Sequence, residues 1–293
     1  MRTPRWHALP LARACNGSTR VRLFIVDGGE ALEAGSVART HLAALARWTG
    51  ALRIDPESVT LTVPADERNA FFAEANRWLH HAGLLIGWRS ETYPVTALGD
   101  GRRLASIERT AARFWGTLTF GAHCNGYVAD NDGRPQAMWI ARRALDKPTD
   151  PGLLDNLIGG GVPEGQSPLE TVLREGWEEA GLTPREMLDL EPGHVLQLAR
   201  DIPEGFQREH LSVFDLALPA ATTPVNQDGE VAELTLMPIA EALALAATDA
   251  MTVDAGLVTL DFALRHRLLP AETHAALEAA LAPLRIGPTM LSD

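Results

Sequence analysis

Apolar residues along this 293-residue chain fall into three stretches: mixed strand and helix, then mostly strand, then helix. Val21–Val26 is a β-rich run ending in the turn Asp27-Gly28-Gly29, and Val59–Val63 alternates as a strand does. Val37–Trp48 has helical spacing. Asp66 is placed to cap a helix running to His81, with Gly83 as its stop, and Arg103–Trp115 reads as a further helix halted by Gly116. Thr117–Ala129 and Gln136–Ala141 read as two strands flanking Asp130-Asn131-Asp132-Gly133, a hairpin turn. Its Asp-x-Asp-Gly start lacks the further spaced oxygens of a calcium loop, so the turn is preferred. Val195–Ala199, His210–Leu218 and Glu233–Met237 are the later strands. From Ile239 the Ala/Leu-rich pattern is helical, through Thr252–His266 and Ala271–Leu284.

One helix in the middle carries chemistry. Ser167 is its predicted N-cap, Pro168 its first residue and Gly181 its stop. At about 100° per residue, Glu175, Glu178 and Glu179 fall within about 100° of arc. Leu169, Leu173, Trp177 and Ala180 gather on the opposite side, the face expected to meet the core. Acids at i, i+3 and i+4 repel one another, and a hard divalent cation removes that objection, because carboxylates are the ligands it prefers. The plain alternative is a solvated acidic face. Gly176, inside the helix, costs about 1 kcal/mol relative to Ala, which suggests a close contact there.

Composition narrows the field. Apolar content of 46% and charged content of 22% are ordinary for a folded protein of one large or two modest domains. A net charge of −12 argues against nucleic acid and anionic membrane as partners, while leaving small anionic ligands open. Two cysteines, Cys15 and Cys124, make no disulfide framework and point to a reducing cytoplasmic setting. No apolar run is long enough to span a bilayer, and Met1–His7 is not followed by the apolar stretch of a secretory signal. The sequence leaves the oligomeric state unfixed, and a homodimer is carried as an expectation.

Gly160, five residues, Gln166, seven residues, then Arg174-Glu175-x-x-Glu178-Glu179-x-Gly181-Leu182 resembles the signature of the Nudix hydrolases, G-x5-E-x7-R-E-U-x-E-E-x-G-U with U aliphatic. Two positions depart: Gln166 stands where the family has Glu, and Gly176 where it has an aliphatic residue. Ala122–Val128, Trp139–Arg143, Pro151–Asn156 and Asn226–Val231 are similar to one branch, in which a distinct module precedes the Nudix domain. In fungi that pair is fused to thiamine pyrophosphokinase. Gly87–Val95 and Ile107-Glu108-Arg109 resemble the preceding module.

The resemblance implies an α+β protein: a smaller α+β module (1–116), a Nudix α/β/α sandwich with a mixed sheet (117–250) and C-terminal helices (251–293). It implies that Glu175, Glu178 and Glu179, with the main-chain carbonyl of Gly160, hold Mg²⁺ or Mn²⁺ and that a P–O–P bond is hydrolysed. Arg174, with Gln166 and Gly181, is then a structural part of the motif. Gln keeps an acceptor but is no base. The base is therefore sought on the later turn, with Glu230 the favoured residue beside Glu178, although a solvated acidic turn reads equally well there. Arg142, Arg143 and Lys147 are the candidate phosphate contacts, and Asn125 a candidate reader of an amide or ring edge. The branch points to thiamine diphosphate or a damaged form of it. A MutT-like nucleotide pyrophosphatase and a Nudix-fold ligand sensor without turnover are the rivals.

Overall fold

A computed structural model describes residues 5–15 and 17–287. Met1–Pro4, part of the segment read above as lacking a secretory signal, lie outside the described residues. The first part of the chain forms α1 (Ala8–Leu11), β1 (Arg20–Asp27), β2 (Glu30–Ala38), α2 (Leu42–Leu45), β3 (Leu52–Asp55), β4 (Ser58–Leu61) and α3 (Arg68–His81). A hairpin, β5 (Thr92–Thr96) and β6 (Arg103–Glu108), and the short α4 (Ala111–Trp115) follow. The second part comprises β7 (Leu118–Ala129), β8 (Pro135–Arg143), β9 (Leu154–Asp155), β10 (Ile158–Gly161), α5 (Pro168–Ala180), β11 (Glu191–Ile202) and β12 (Gly205–Ala217). It ends with β13 (Val231–Pro238), α6 (Ile239–Ala246), α7 (Val253–Arg265), α8 (Ala271–Leu281) and β14 (Arg285–Ile286).

The first module is a four-stranded sheet, order β2-β1-β4-β3, in which only β1 and β4 run parallel. Val21, Leu23 and Ile25 alternate inward and pack with Phe72, Phe114 and Trp115 in one apolar cluster. The second part is a mixed sheet in the order β13-β8-β7-β12-β11-β14, with β7 and β12 parallel, and with β10 added to β7 and β9 to β8. α5 covers one face, over β7 and β10. α7 covers the other, and its residues from Ala255 to Leu264 are all buried, mostly apolar ones, with Asp261 among them paired to Arg265 and Arg285. Trp6, Ala8, Leu9 and Ala12 pack into the cluster around α7, so the first turn of the chain closes over the second sheet. The expected α+β architecture with a mixed sheet is observed.

Four local expectations are corrected. Val37–Trp48 is not one helix: β2 runs to Ala38, and only the four-residue α2 with flanking 3₁₀ turns follows. Arg103–Trp115 is also not one helix, because its first half pairs antiparallel with Thr92–Thr96 and only Ala111–Trp115 coils. Asp66 does not cap α3: Glu67 is at the cap position and supplies no side-chain bond. The fourth concerns the faces of α5. Leu169 and Trp177 are 47% and 51% exposed, while Val172, Gly176, Glu179 and Ala180 are buried. The Asp130 loop is a turn as read, its carboxylate accepting the Asp132 and Arg134 N–H groups at 2.9 and 3.0 Å. Among the described residues no helix is long and apolar enough to cross a membrane.

Candidate active site

α5 starts where the sequence says it should. The Ser167 hydroxyl accepts the Glu170 N–H at 3.2 Å, and the Glu170 carboxylate accepts the Ser167 N–H at 2.7 Å, a reciprocal cap that satisfies two orphan donors. Gly181 closes the helix with φ 65°, a left-handed conformation that costs glycine little. The helix lies close on its neighbours because Gly176 has no side chain: a Cβ there would stand 2.5 Å from Met187 Sδ. The expected close contact at Gly176 is therefore present, and it turns the Glu179 side of the helix inward.

Glu179 is 6% exposed, and its carboxylate accepts the Gly159 N–H at 2.8 Å. Burial, then the neighbouring Glu175, pushes its carboxyl well above the usual range. Burial also raises Glu175, whereas Arg174 beside it acts the other way. Arg174 donates to Glu175 and to Glu178 at 2.7 Å each, and its Nε faces Gln166 Oε1 at 3.5 Å. Gln166 Oε1 also accepts the Thr171 hydroxyl at 3.3 Å. Arg174 and Gln166 thus tie the loop to the helix.

β10 is nearly all glycine for a steric reason. Its residues alternate sides, and each side is occupied. A Cβ on Gly160 would overlap the Glu175 carboxylate, one on Gly159 would meet the His123 ring at 2.8 Å, and one on Gly161 would overlap the Tyr93 hydroxyl. His123 is held by Asn156 Oδ1 at 2.9 Å. Along the strand opens a cavity of about 380 Å³ walled by Tyr93, Arg109, His123, Arg143, Asp155 and Glu209 among others. A smaller hollow joins Lys147, Glu179 and Glu230, and Arg143 and Asp155 line both.

Charges around these spaces are cross-linked. Lys147 pairs with Glu230, and Arg89 of the first module donates to Glu230 at 3.2 Å. Arg143 donates to Asp155 at 2.9 Å and to the Thr149 carbonyl at 2.9 Å. Glu179 is left without an ion-pair partner among the described residues. A buried carboxylate next to another, with no cation on it, is the donor chemistry a hard divalent ion satisfies. Among the described residues no three acids, imidazoles or thiols converge at metal-binding spacing, and Arg174 is held between Glu175 and Glu178.

The structure thus joins Glu175 and Glu178 through Arg174, sets Gly160 against Glu175 and Arg174 against Gln166, and groups Glu179 with Arg143, Lys147 and Glu230 around the smaller hollow. It places Arg142 on the outer surface, bonded to Glu233 at 3.4 Å and to the Gly152 carbonyl at 3.0 Å. Asn125 sits on the α7 side of the sheet, wholly buried. Its amide donates to Asp215 at 3.0 Å and its oxygen accepts from Asn156 at 3.1 Å, which leaves it away from the acids of α5. Sequence reasoning assigned no role to Asp155, His123, Tyr93, Arg109 or Glu209. Asp155-Asn156 carried a usable signal, a polar pair inside the apolar run Leu153-Leu154 to Leu157-Ile158.

Residues 121–257 match the NUDIX domain, and residues 7–119 match "Domain of unknown function (DUF4743)". "Nudix hydrolase 20, chloroplastic" of Arabidopsis thaliana is 36% identical over 217 residues, covering 73% of this chain and 57% of that protein. "Nudix hydrolase 24, chloroplastic" of the same plant is 36% identical over 220 residues, covering 73% and 60%. "Uncharacterized protein YJR142W" of Saccharomyces cerevisiae is 32% identical over 222 residues, covering 71% and 64%. The chain therefore spans less than two thirds of the length of these curated relatives. A solved structure, DR0079 from Deinococcus radiodurans, overlaps 59% of this chain and 98% of its own with TM-score 0.43 and 22% identity, too loosely to add to these matches. A capped helix bearing the acids, a glycine strand against them and these sequence matches agree: residues 121–257 carry a NUDIX domain behind an N-terminal segment that matches DUF4743, and the chain is similar to Nudix hydrolases over 73% of its length.

Proposed function

We propose that the protein hydrolyses the P–O–P bond of an organic diphosphate with the help of Mg²⁺ or Mn²⁺. The observation that carries this reading is Glu179, buried beside Glu175, bonded to the Gly159 N–H and with no ion-pair partner among the described residues. Glu175, Glu178, Glu179 and the Gly160 carbonyl would hold the ion, with Arg174 giving up its bonds to Glu175 and Glu178. When bound, a divalent cation neutralises phosphate charge and acidifies water.

The remaining work falls to the chain itself. Arg143 and Lys147 stand at the hollow beside Glu179 and donate to phosphoryl oxygens. Glu178 and Glu230 are the acids proposed to orient the attacking water and take its proton. The water oxygen bonds to phosphorus, the bridging P–O bond breaks, and the two phosphate products depart. Gln166 accepts hydrogen bonds from Thr171 and Arg174 of α5 and plays no part in proton transfer.

The favoured substrate is thiamine diphosphate or a damaged form of it, on the strength of the likeness to modules joined to thiamine pyrophosphokinase in fungi. A nucleotide pyrophosphatase on oxidised dNTPs or nucleotide sugars is the alternative within hydrolysis. A ligand sensor is favoured by one observation, the Arg174 clamp on two of the three acids. Two unpaired cysteines, one exposed and one buried, suit a reducing compartment such as the cytoplasm.

Phosphate release from thiamine diphosphate analogues, dNTPs and ADP-ribose, with Mg²⁺, with Mn²⁺ and with EDTA, decides among these. Metal-dependent turnover of the thiamine compounds is expected. Turnover of nucleotides alone transfers the reading to the second substrate class, and tight binding with no turnover to the sensor.

A further inference from the structure

Two hydroxyls in the cavity wall have no hydrogen-bond partner among the described residues. Tyr93 is 3% exposed and Thr117 is 1% exposed, and neither oxygen is bonded to any group of the described residues. Both side chains line the cavity beside Gly159–Gly161. Buried polar groups are nearly always satisfied, so an unpartnered one at a cavity wall calls for a missing partner.

Tyr93 is carried on β5, and its oxygen abuts Gly161, which can lie there only because it has no side chain. Arg109, between β6 and α4, stands with its guanidinium 5.6 Å from the Tyr93 ring centre. Its Nη1 is held by Glu91 at 2.9 Å, which turns Nη2 toward Gly161. Burial pushes the Tyr93 phenol up, so it keeps its proton. Arg109 is also near enough to pull the Glu175 carboxyl down against the effect of its burial. A phenol O–H and a guanidinium converge at one glycine of the loop that backs the acids. Two such donors favour an anionic oxygen.

We propose that the N-terminal module is half of the ligand site: Tyr93 and Arg109 donate to a phosphoryl oxygen of the diphosphate held along Gly159–Gly161, and Thr117 supplies a hydroxyl further along the same wall. The identity of the ligand as a diphosphate rests on the function proposed above; the assignment of the binding wall rests on the two unpartnered hydroxyls.

The experiment uses the full chain and Tyr93→Phe, Thr117→Val and Arg109→Lys, with thiamine diphosphate and ADP-ribose as probes. Binding is titrated in EDTA and in Mg²⁺, and kcat and KM are measured where turnover occurs. Tyr93→Phe should weaken binding of the better probe, and raise KM, about tenfold, the effect of one hydrogen bond to a charged group, with kcat within about twofold. Its melting temperature without ligand should not fall, because no bond is lost in the free protein. Arg109→Lys keeps the charge but loses the fork, and should weaken binding by a similar factor. Unchanged affinity in Tyr93→Phe and Arg109→Lys, a lower melting temperature for Tyr93→Phe, or no binding of either probe by the unaltered chain would each overturn the proposal. Binding that depends on Tyr93 without turnover would leave it standing and defeat the hydrolase reading instead.

Discussion

Replacing Glu179 by Gln tests the centre of the site, because the change keeps the shape and the acceptor for the Gly159 N–H while removing the charge. Two effects of opposite sign follow. In the metal-free protein Glu179 is buried one helical turn from Glu175, itself mostly buried. Side chains at that spacing have Cβ atoms about 5–6 Å apart. With an effective dielectric constant of about 20, full ionisation of both would cost about 3 kcal/mol, and protonation of one lowers the realised cost to about 1–2 kcal/mol. Glu179→Gln should therefore raise the stability of the chain in EDTA by about 1–2 kcal/mol near neutral pH. In Mg²⁺ or Mn²⁺ the sign reverses: the unaltered chain should gain stability from the ion and the variant should not. Turnover should fall by about 10³, or about 4 kcal/mol of barrier. Denaturant melts with and without metal, beside initial rates of phosphate release, read all three. A variant less stable than its parent in EDTA, yet fully stabilised by metal and fully active, would refute the account of Glu179 as a buried acid awaiting a cation.

Other predictions concern pH, packing and the Asn125 site. Burial raises the carboxyls of Glu179, Glu209 and Asp150, with a neighbouring acid acting in the same direction in each case. At these carboxyls the folded chain binds more protons than the unfolded one, so their contribution to stability in EDTA should fall as pH rises above the ordinary carboxylate range of about 4, against an opposite contribution from His41 and His210, which burial lowers. The stability difference between Glu179→Gln and its parent isolates the Glu179 part: in EDTA it should grow from about pH 4.5 to 8, and a difference that shrinks would contradict it. Gly176→Ala gains about 1 kcal/mol of helix propensity but meets Met187, and should destabilise by about 1 kcal/mol net; in a Met187→Ala background the same change should become stabilising. Asn125→Ala leaves Asp215 and Asn156 each short of a partner and should cost about 1–3 kcal/mol of stability with KM unchanged, whereas a role in reading substrate would raise KM.

How much of this could be read in advance differs from element to element. α5 was legible with its cap, first residue and stop, because Ser167, Pro168 and Gly181 act through bonds and torsions within a few residues. The Asp130 turn was legible for the same reason. Arg103–Trp115 was not, since its Ala- and Arg-rich composition suits a helix and only pairing with Thr92–Thr96 makes its first half a strand. The acids were legible as a cluster, but the direction of the cluster was not. Periodicity separates two faces of α5 without saying which is buried, and the notch at Gly176 against Met187 turns Glu179 inward and leaves Trp177 in water.

The chain by itself thus determined α5 with its cap and stop, the Asp130 turn, the presence of three clustered carboxylates and the glycines before them, because caps, turns and periodicity are short-range properties. Tertiary structure alone decided which acid is buried, that Lys147 pairs with Glu230, that Asn125 belongs to the α7 side, and that Tyr93 and Arg109 of the first module reach Gly161. Each of those depends on contacts between residues far apart in sequence, where desolvation and pairing are settled by packing and no local pattern records the partner.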